Sequence, residues 1–214
     1  PTVITRNITV QLDASGNASI IASQVNNGSN DASGIASISV SPSTFTCSNK
    51  GANTVTLTVT DNNSNVSTGI AIVTVQDTIS PVVNTNPFVT VYLNANGTAN
   101  IVSSLFNNGS TDNCGIVSYS TSPSTVSCSD VGLKTIILYA TDASGNVGSA
   151  TATAVVLDPI LPVARPKARF TAYLSASGQA IITPALLDSA STDNCNITSI
   201  VLSQNAFNCS HVGN

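Results

Sequence analysis

A chain of 214 residues with six Lys+Arg, a net charge of −4 and only 7% charged residues has too little positive charge to hold a polyanion, so no nucleic-acid partner is expected. All ten acidic residues are aspartates, and with no glutamate and a single histidine, His211, the chain has no nucleophile–base constellation and does not read as an enzyme. No stretch approaches the ~20 apolar residues of a membrane span, and no signal peptide is legible from Pro1 onward. The 42% hydrophobic content is carried largely by Val, Ile and Ala among many Ser, Thr and Asn, an all-β composition.

The elements repeat. Leu12, Leu93 and Leu174 recur at a constant period of 81 residues, as do Asp31, Asp112 and Asp193, and Cys47, Cys128 and Cys209. Asp61 and Asp142, and Asp77 and Asp158, share that period over the first two repeats. A period without drift means one folding unit used in tandem. The expected units are 1–77, 78–158 and 159–214, each small but able to enclose a core. The third lacks counterparts of the last two strands.

In the first repeat Val55, Leu57 and Val59 alternate with Thr56, Thr58 and Thr60, predicting a strand with the aliphatic side chains in the core and the threonines outward. The second repeat gives the full order. Phe88–Leu93 is a strand, Asn94–Gly97 a turn and Thr98–Val102 a second strand. Asn107–Gly115 is a polar loop, Ile116–Ser120 alternates, Ser122–Ser124 turns, and Val126–Cys128 is a short strand. Lys134–Thr141 is a long strand whose Ile136, Leu138 and Ala140 match the first repeat's core face. Asp142–Asn146 is a tight turn, Val147–Leu157 the last strand and Asp158–Pro162 a linker. Short alternating strands between turn signals predict antiparallel β-sandwiches, placed end to end as a rod of ~100 Å at ~3.3 Å per strand residue.

Five cysteines are present. Cys114 and Cys128 stand 14 apart, and Cys195 and Cys209 repeat that spacing, whereas Cys47 faces Ser33 at the corresponding position. This predicts disulfides Cys114–Cys128 and Cys195–Cys209, a free Cys47 as a small buried apolar side chain, and an oxidising compartment. A zinc site would need four clustered ligands, which one histidine does not help to supply.

Three motifs in order carry a family resemblance: Ser110-Thr111-Asp112-Asn113-Cys114-Gly115, then Val131-Gly132, then Tyr139-Ala140-Thr141-Asp142-Ala143-Ser144-Gly145-Asn146. The chain resembles, in register over its whole length, hyalin-repeat (HYR) immunoglobulin-like modules such as those of large tandem-repeat surface adhesins of gliding bacteria. The resemblance implies an extracellular, cell-surface adhesin, stalk or filament without catalysis. Hyalin repeats often carry a cysteine after the Ser-Gly-Asn turn; Gly148–Thr151 has none.

If linkers and loops meet at one pole of each sandwich, Asp77 lies with Asp112 and Asp142. Asp158 and Asp193, with a residue past Asn214, form the corresponding set at the next junction, and Asp31 and Asp61, with a residue before Pro1, the set at the first. Three close carboxylates repel unless protonated or bridged by a cation, and Ca²⁺ is the cation that suits an all-oxygen set. The alternative is that each aspartate only closes an Asx-turn on its own backbone. Nine Asn-X-Ser/Thr sequons occur, and Asp77-Thr78-Ile79 and Asp188-Ser189-Ala190 resemble a bacterial O-glycosylation signal at Thr78 and Ser189. Arg165, Lys167 and Arg169 form a basic cluster that either solubilises an exposed strand or meets acidic surface glycans. The expected partners are therefore neighbouring repeats and surface glycans. Two other readings stay open. One is a carbohydrate-binding accessory module of a secreted enzyme, although aromatic content is only 4%. The other is a subunit that polymerises when another chain donates strands to the incomplete third unit, which otherwise reads as an excerpt of a longer repeat array.

Overall fold

The computed structural model describes residues 1–213. The chain forms two compact units. One comprises Pro1–Pro87, Ser103–Thr121 and Ile137–Ala152; the other comprises Phe88–Val102, Ser122–Ile136 and the chain from Thr153 onward.

In the first period the elements are β1 (Ile8–Gln11), β2 (Asn17–Ser19), the helical turn α1 (Ala22–Val25), β3 (Ile35–Ser41), β4 (Thr44–Thr46), a 3-10 turn (Cys47–Asn49), β5 (Gly51–Asp61) and β6 (Val66–Gln76). They make a four-stranded sheet ordered β1-β6-β5-β3 and a two-stranded sheet of β2 and β4. The sheets close on one core in which Phe45 from the small sheet and Leu12 and Ile20 meet Val55, Leu57, Val59, Val73 and Val75 from the large one. The period-two pattern explains the geometry. Val55, Leu57 and Val59 are fully buried, each side chain contributing about 2 kcal/mol of transfer free energy. Thr56, Thr58 and Thr60 lie on the opposite, outward face, half-buried because β5 is an interior strand flanked by β3 and β6. The sandwich is not wholly antiparallel: β1 runs parallel to β6, with Ile8 opposite Val73 and Gln11 opposite Gln76.

The second period repeats the order with β7 (Phe88–Tyr92), β8 (Thr98–Asn100), α2 (Ser103–Phe106), β9 (Ile116–Ser122), β10 (Thr125–Ser127), a 3-10 turn (Cys128–Asp130), β11 (Gly132–Asp142) and β12 (Val147–Leu157). The sheets are β7-β12-β11-β9 and β10-β8, with β7 parallel to β12. Ile136, Leu138 and Ala140 are fully buried, as the alternation predicts. Cys128 opens a 3-10 turn instead of ending a strand. Sequence reasoning missed the helical turns α1 and α2, which plug the core with the fully buried Val25 and Phe106. The signal was present, since Val25, Phe106 and Leu187 keep an apolar residue at the 81-residue period.

The third period holds β13 (Gln179–Ile181), α3 (Pro184–Leu187), β14 (Ala206–Asn208) and a 3-10 turn (Cys209–His211). The segment 168–173, which corresponds to β1 and β7, carries no strand; in the earlier periods that segment pairs with the last strand. A cleft of about 660 Å³ lies against Phe170, Leu174, Ile182, Leu187 and Phe207, the open core expected of a sandwich without its two longest strands. Among the described residues no helix is long and apolar enough to cross a membrane.

Candidate metal centre and inter-repeat joint

The three aspartates singled out at the second junction come together. Asp77 follows β6, Asp112 sits in the loop before β9, and Asp142 ends β11. Each offers a carboxylate oxygen within 4.8 Å of the others. Asp77 and Asp142 are buried and Asp112 is half-buried.

Much of this carboxylate is already used. Asp142 Oδ1 accepts the backbone N–H groups of Ser144 and Asn146 at 2.8 Å, and its Oδ2 accepts Asn146 Nδ2. Burial acts to raise the Asp142 carboxyl, but these donors outweigh it and hold it below the ordinary range. Asp77 Oδ1 accepts Asn113 Nδ2 at 3.1 Å, and Asp77 Oδ2 accepts Ser144 Oγ at 3.3 Å. Lys50 Nζ donates in turn to Ser144 Oγ at 3.2 Å, so one cation stands a single hydroxyl away from the cluster. Asp112 Oδ2 accepts the Cys114 N–H. What remains is Asp112 Oδ1 and Asn113 Oδ1, both buried without a hydrogen-bond partner. Unpaired buried oxygens beside a carboxylate cluster are costly without a cation, so the donor set fits a hard, oxygen-seeking ion.

The next junction repeats half of this. Asn194 Nδ2 donates to Asp158 Oδ1 at 3.0 Å, Asp193 Oδ2 accepts the Cys195 N–H, and Asp193 Oδ1 and Asn194 Oδ1 are again buried and unpartnered. No third carboxylate completes a cluster there among the described residues. At the first pole the aspartates close their own turns. Asp31 accepts the Ser33 hydroxyl and backbone N–H, and the Pro1 amino group lies 3.1 Å away. These donors, the Ser33 hydroxyl first, lower its carboxyl to about 2. Asp61 accepts Asn63 and Asn65 and is lowered chiefly by the Asn65 side chain.

The disulfides correct the expected pairing. Cys47 bonds Cys114 and Cys128 bonds Cys195, each across 67 residues, and Cys209 is the free, exposed thiol. Cys114–Cys128, Cys195–Cys209 and a free Cys47 are therefore wrong. The first repeat shows the reason. Between Ser33 and Cys47 lie the seven residues of β3, while β4 returns by only three. The net travel of more than ~10 Å separates positions whose Cα atoms a disulfide needs within about 7 Å.

The bridge belongs to a joint. Asn113 Nδ2 also donates to Asp13 O at 3.2 Å, so the Asp112-Asn113-Cys114 loop is seated on the Asp13–Gly16 turn of the preceding repeat. Asn194 Nδ2 donates likewise to Asn94 O at 3.2 Å. Gly16 and Gly97 make the seats possible. A Cβ on Gly16 would lie 2.8 Å from Asn113 O and 2.7 Å from Cys47 Sγ; on Gly97 it would lie 2.7 Å from Asn194 O and 2.5 Å from Cys128 Sγ. Sequence reasoning found the loop's aspartates and missed the role of its asparagines. Thr78 and Ser189 are both exposed, and Arg165, Lys167 and Arg169 are exposed as well.

No family model matches the chain, and no curated protein does. Among solved structures it is similar to the I-band fragment I67–I69 of titin, at 14% identity over 77% of this chain and 68% of that one, with a TM-score of 0.34. The protocadherin γB4 extracellular domain matches at 15% identity and TM-score 0.33 over 78% of this chain, which spans about a third (35%) of that one. The fibronectin(III)-like modules of Clostridium thermocellum CbhA match at 12% identity and TM-score 0.27, over 74% and 92% of the two chains. Likenesses this loose leave the fold assignment resting on the sheets themselves.

Proposed function

We propose that the chain is a non-catalytic extracellular segment of a cell-surface stalk, filament or adhesin, built from hyalin-type modules at 1–77, 78–158 and 159–214. The observation that carries this reading is the joint that occurs twice, with the same 67-residue disulfide and the same asparagine reaching back to the preceding turn. A joint that is both covalent and hydrogen-bonded transmits load along a chain, and its disulfides suit an oxidising compartment. Antibodies raised to the chain, applied to intact cells of the source organism, should label surface filaments. Labelling only after lysis would overturn the reading.

Calcium belongs to the same reading. Asp77, Asp112 and Asp142 would hold it, and Asp112 Oδ1 is the oxygen of the set left without a partner. The ion would supply the positive charge that lets three carboxylates stay close. Titration calorimetry with Ca²⁺ on chelator-treated protein tests it; no heat and no change in melting temperature would remove it.

A second reading has one observation in its favour. Phe88 and Tyr92 lie on the same face of β7 and are 67% and 61% exposed, an aromatic platform of the kind sugar-binding modules use. Retardation in polysaccharide-containing gels that is lost with Tyr92→Ala would support a carbohydrate-binding role.

A further inference from the structure

We infer that the Cys209 face of the third repeat is a docking site for the Asp-Asn-Cys-Gly loop of another module of this type, closed by a disulfide from Cys209 to that loop's cysteine. The evidence is a half-joint already in shape. In the two complete joints the receiving side has three parts: a four-residue turn, a short strand pair beside it, and a cysteine at the head of a 3-10 turn. All three recur in the third repeat. The Ser175–Gly178 turn has Gly178 N–H donating to Ser175 O at 2.9 Å, as Gly16 does to Asp13 O and Gly97 to Asn94 O, both at 2.9 Å. Ala180 stands opposite Phe207, as Ala18 does opposite Phe45 and Ala99 opposite Val126. Cys209 Sγ lies 3.8 Å from Gly178 O, against 3.7 Å for Cys47 from Gly16 O and 3.5 Å for Cys128 from Gly97 O.

What differs is the arriving side. Cys47 and Cys128 are half-buried and bonded, whereas Cys209 is exposed and free. A Cβ at Gly178 would meet only Cys209 Sγ, at 3.0 Å, where the other two glycines also meet the carbonyl of a loop asparagine. The Ser175 carbonyl stands where Asp13 O and Asn94 O accept that asparagine's amide. The ligand chemistry follows from the two occupied seats: a side-chain amide for the turn carbonyl, then a thiol one residue later for Cys209. Closure joins two thiols into one disulfide; a disulfide oxidant such as oxidised glutathione takes up the two electrons and two protons and leaves as two glutathione thiols.

The first repeat supplies the test, because its loop reads Asp31-Ala32-Ser33-Gly34 and lacks both groups. The double variant Ala32→Asn, Ser33→Cys gives a second copy the missing loop. Wild-type chain and this variant, incubated with oxidised glutathione, should link between the introduced loop cysteine and Cys209, located by peptide mass mapping. The rate should exceed at least tenfold that of a Ser37→Cys variant, whose cysteine lies on an exposed strand position of the same repeat. Cys209→Ser should abolish the link. The single variant Ser33→Cys, which changes only one loop residue, should still link faster than Ser37→Cys. Equal rates for loop and strand cysteines, or products dominated by Cys209 pairing with Cys209, would overturn the inference. The tested link engages none of Asp77, Asp112 and Asp142, so its outcome is independent of the calcium reading.

Discussion

Stretching the chain between its ends separates the two possible disulfide patterns by a wide margin. Fully extended, 214 residues reach about 750 Å at ~3.5 Å per residue. The bonds Cys47–Cys114 and Cys128–Cys195 enclose separate segments, and each removes 67 residues, about 230 Å of contour. The oxidised chain should therefore reach only about 280 Å when pulled to full extension, and a reductant should restore about 470 Å more. Bridges spanning 14 residues would instead hide about 50 Å each and leave the oxidised chain near 650 Å. Single-molecule force spectroscopy with handles at the two ends, with and without dithiothreitol, reads these lengths directly. An oxidised contour near 650 Å would refute the joint described here, and with it the claim that most of the second repeat is shielded from load. The same bonds constrain the unfolded ensemble. A 67-residue loop corresponds to about 4 kcal/mol in the chain-entropy account, and Cys128→Ser with Cys195→Ser should lower stability to guanidinium by roughly that amount.

Other outcomes follow from the same geometry. Gly97→Ala should cost more than the ~1–3 kcal/mol typical of overpacking, since Gly97 has φ +70° and its Cβ would meet both Cys128 Sγ and Asn194 O; peptide mapping should find Cys128–Cys195 incompletely formed, and a fully formed bond would count against the seat. Gly148→Ala, where a Cβ would collide with the Pro81 carbonyl, should lower the melting temperature while leaving both disulfides intact. Asp112→Asn keeps an oxygen for the Cys114 N–H but removes charge from the cluster; calorimetry should show Ca²⁺ binding weakened at least tenfold, with the calcium-free melting temperature unchanged or raised. The carboxyls of Asp31, Asp61 and Asp142 are depressed in the folded chain, so their stabilisation is complete above the unfolded value of about 3.9 and is lost as pH falls through the folded values. Melting temperature should thus be flat from neutrality to about pH 4 and fall towards pH 2, where a fall beginning near pH 6 would contradict the assignment.

The fold was legible because strand burial is a period-two property of single segments. Val55, Leu57 and Val59 announce an inward face, and the 81-residue period carries that reading to Ile136, Leu138 and Ala140. The carboxylate cluster was legible for a related reason, since Asp77, Asp112 and Asp142 all lie at strand ends or in the loops that a sandwich gathers at one pole. The disulfides were not. Both 14 and 67 recur as cysteine spacings, and either pattern leaves one of five cysteines unpaired. The choice depends on which pole each cysteine occupies, and that is set by the length difference between β3 and β4 rather than by separation along the chain. The parallel pairing of β1 with β6 was hidden likewise, because alternation reports which face a residue occupies and is silent on strand direction.

The substitutions in the first repeat's loop become intelligible once the joint is known. Relative to Asp112-Asn113-Cys114 and Asp193-Asn194-Cys195, that loop keeps Asp31 and replaces the next two residues with Ala32 and Ser33. The aspartate's work is local: its carboxylate accepts the N–H two residues on in all three repeats, from Ser33, Cys114 and Cys195. The work of the asparagine and cysteine is not local, since the amide reaches a turn carbonyl and an aspartate of the preceding repeat and the sulfur bonds that repeat's cysteine. Ala32 and Ser33 thus remove every group that acts on another repeat and spare the one that shapes the loop itself. The Ser33 hydroxyl even adds a second bond to Asp31 at 2.6 Å. Two residues changed together, with a third retained, separate the groups that act on another repeat from the one that shapes the loop itself. Restoring Asn alone at position 32 should therefore leave the unfolding free energy of this chain within ~0.5 kcal/mol of wild type. A marked stabilisation would mean that the asparagine has a partner inside its own repeat, and the division between local and joint-forming residues would fail.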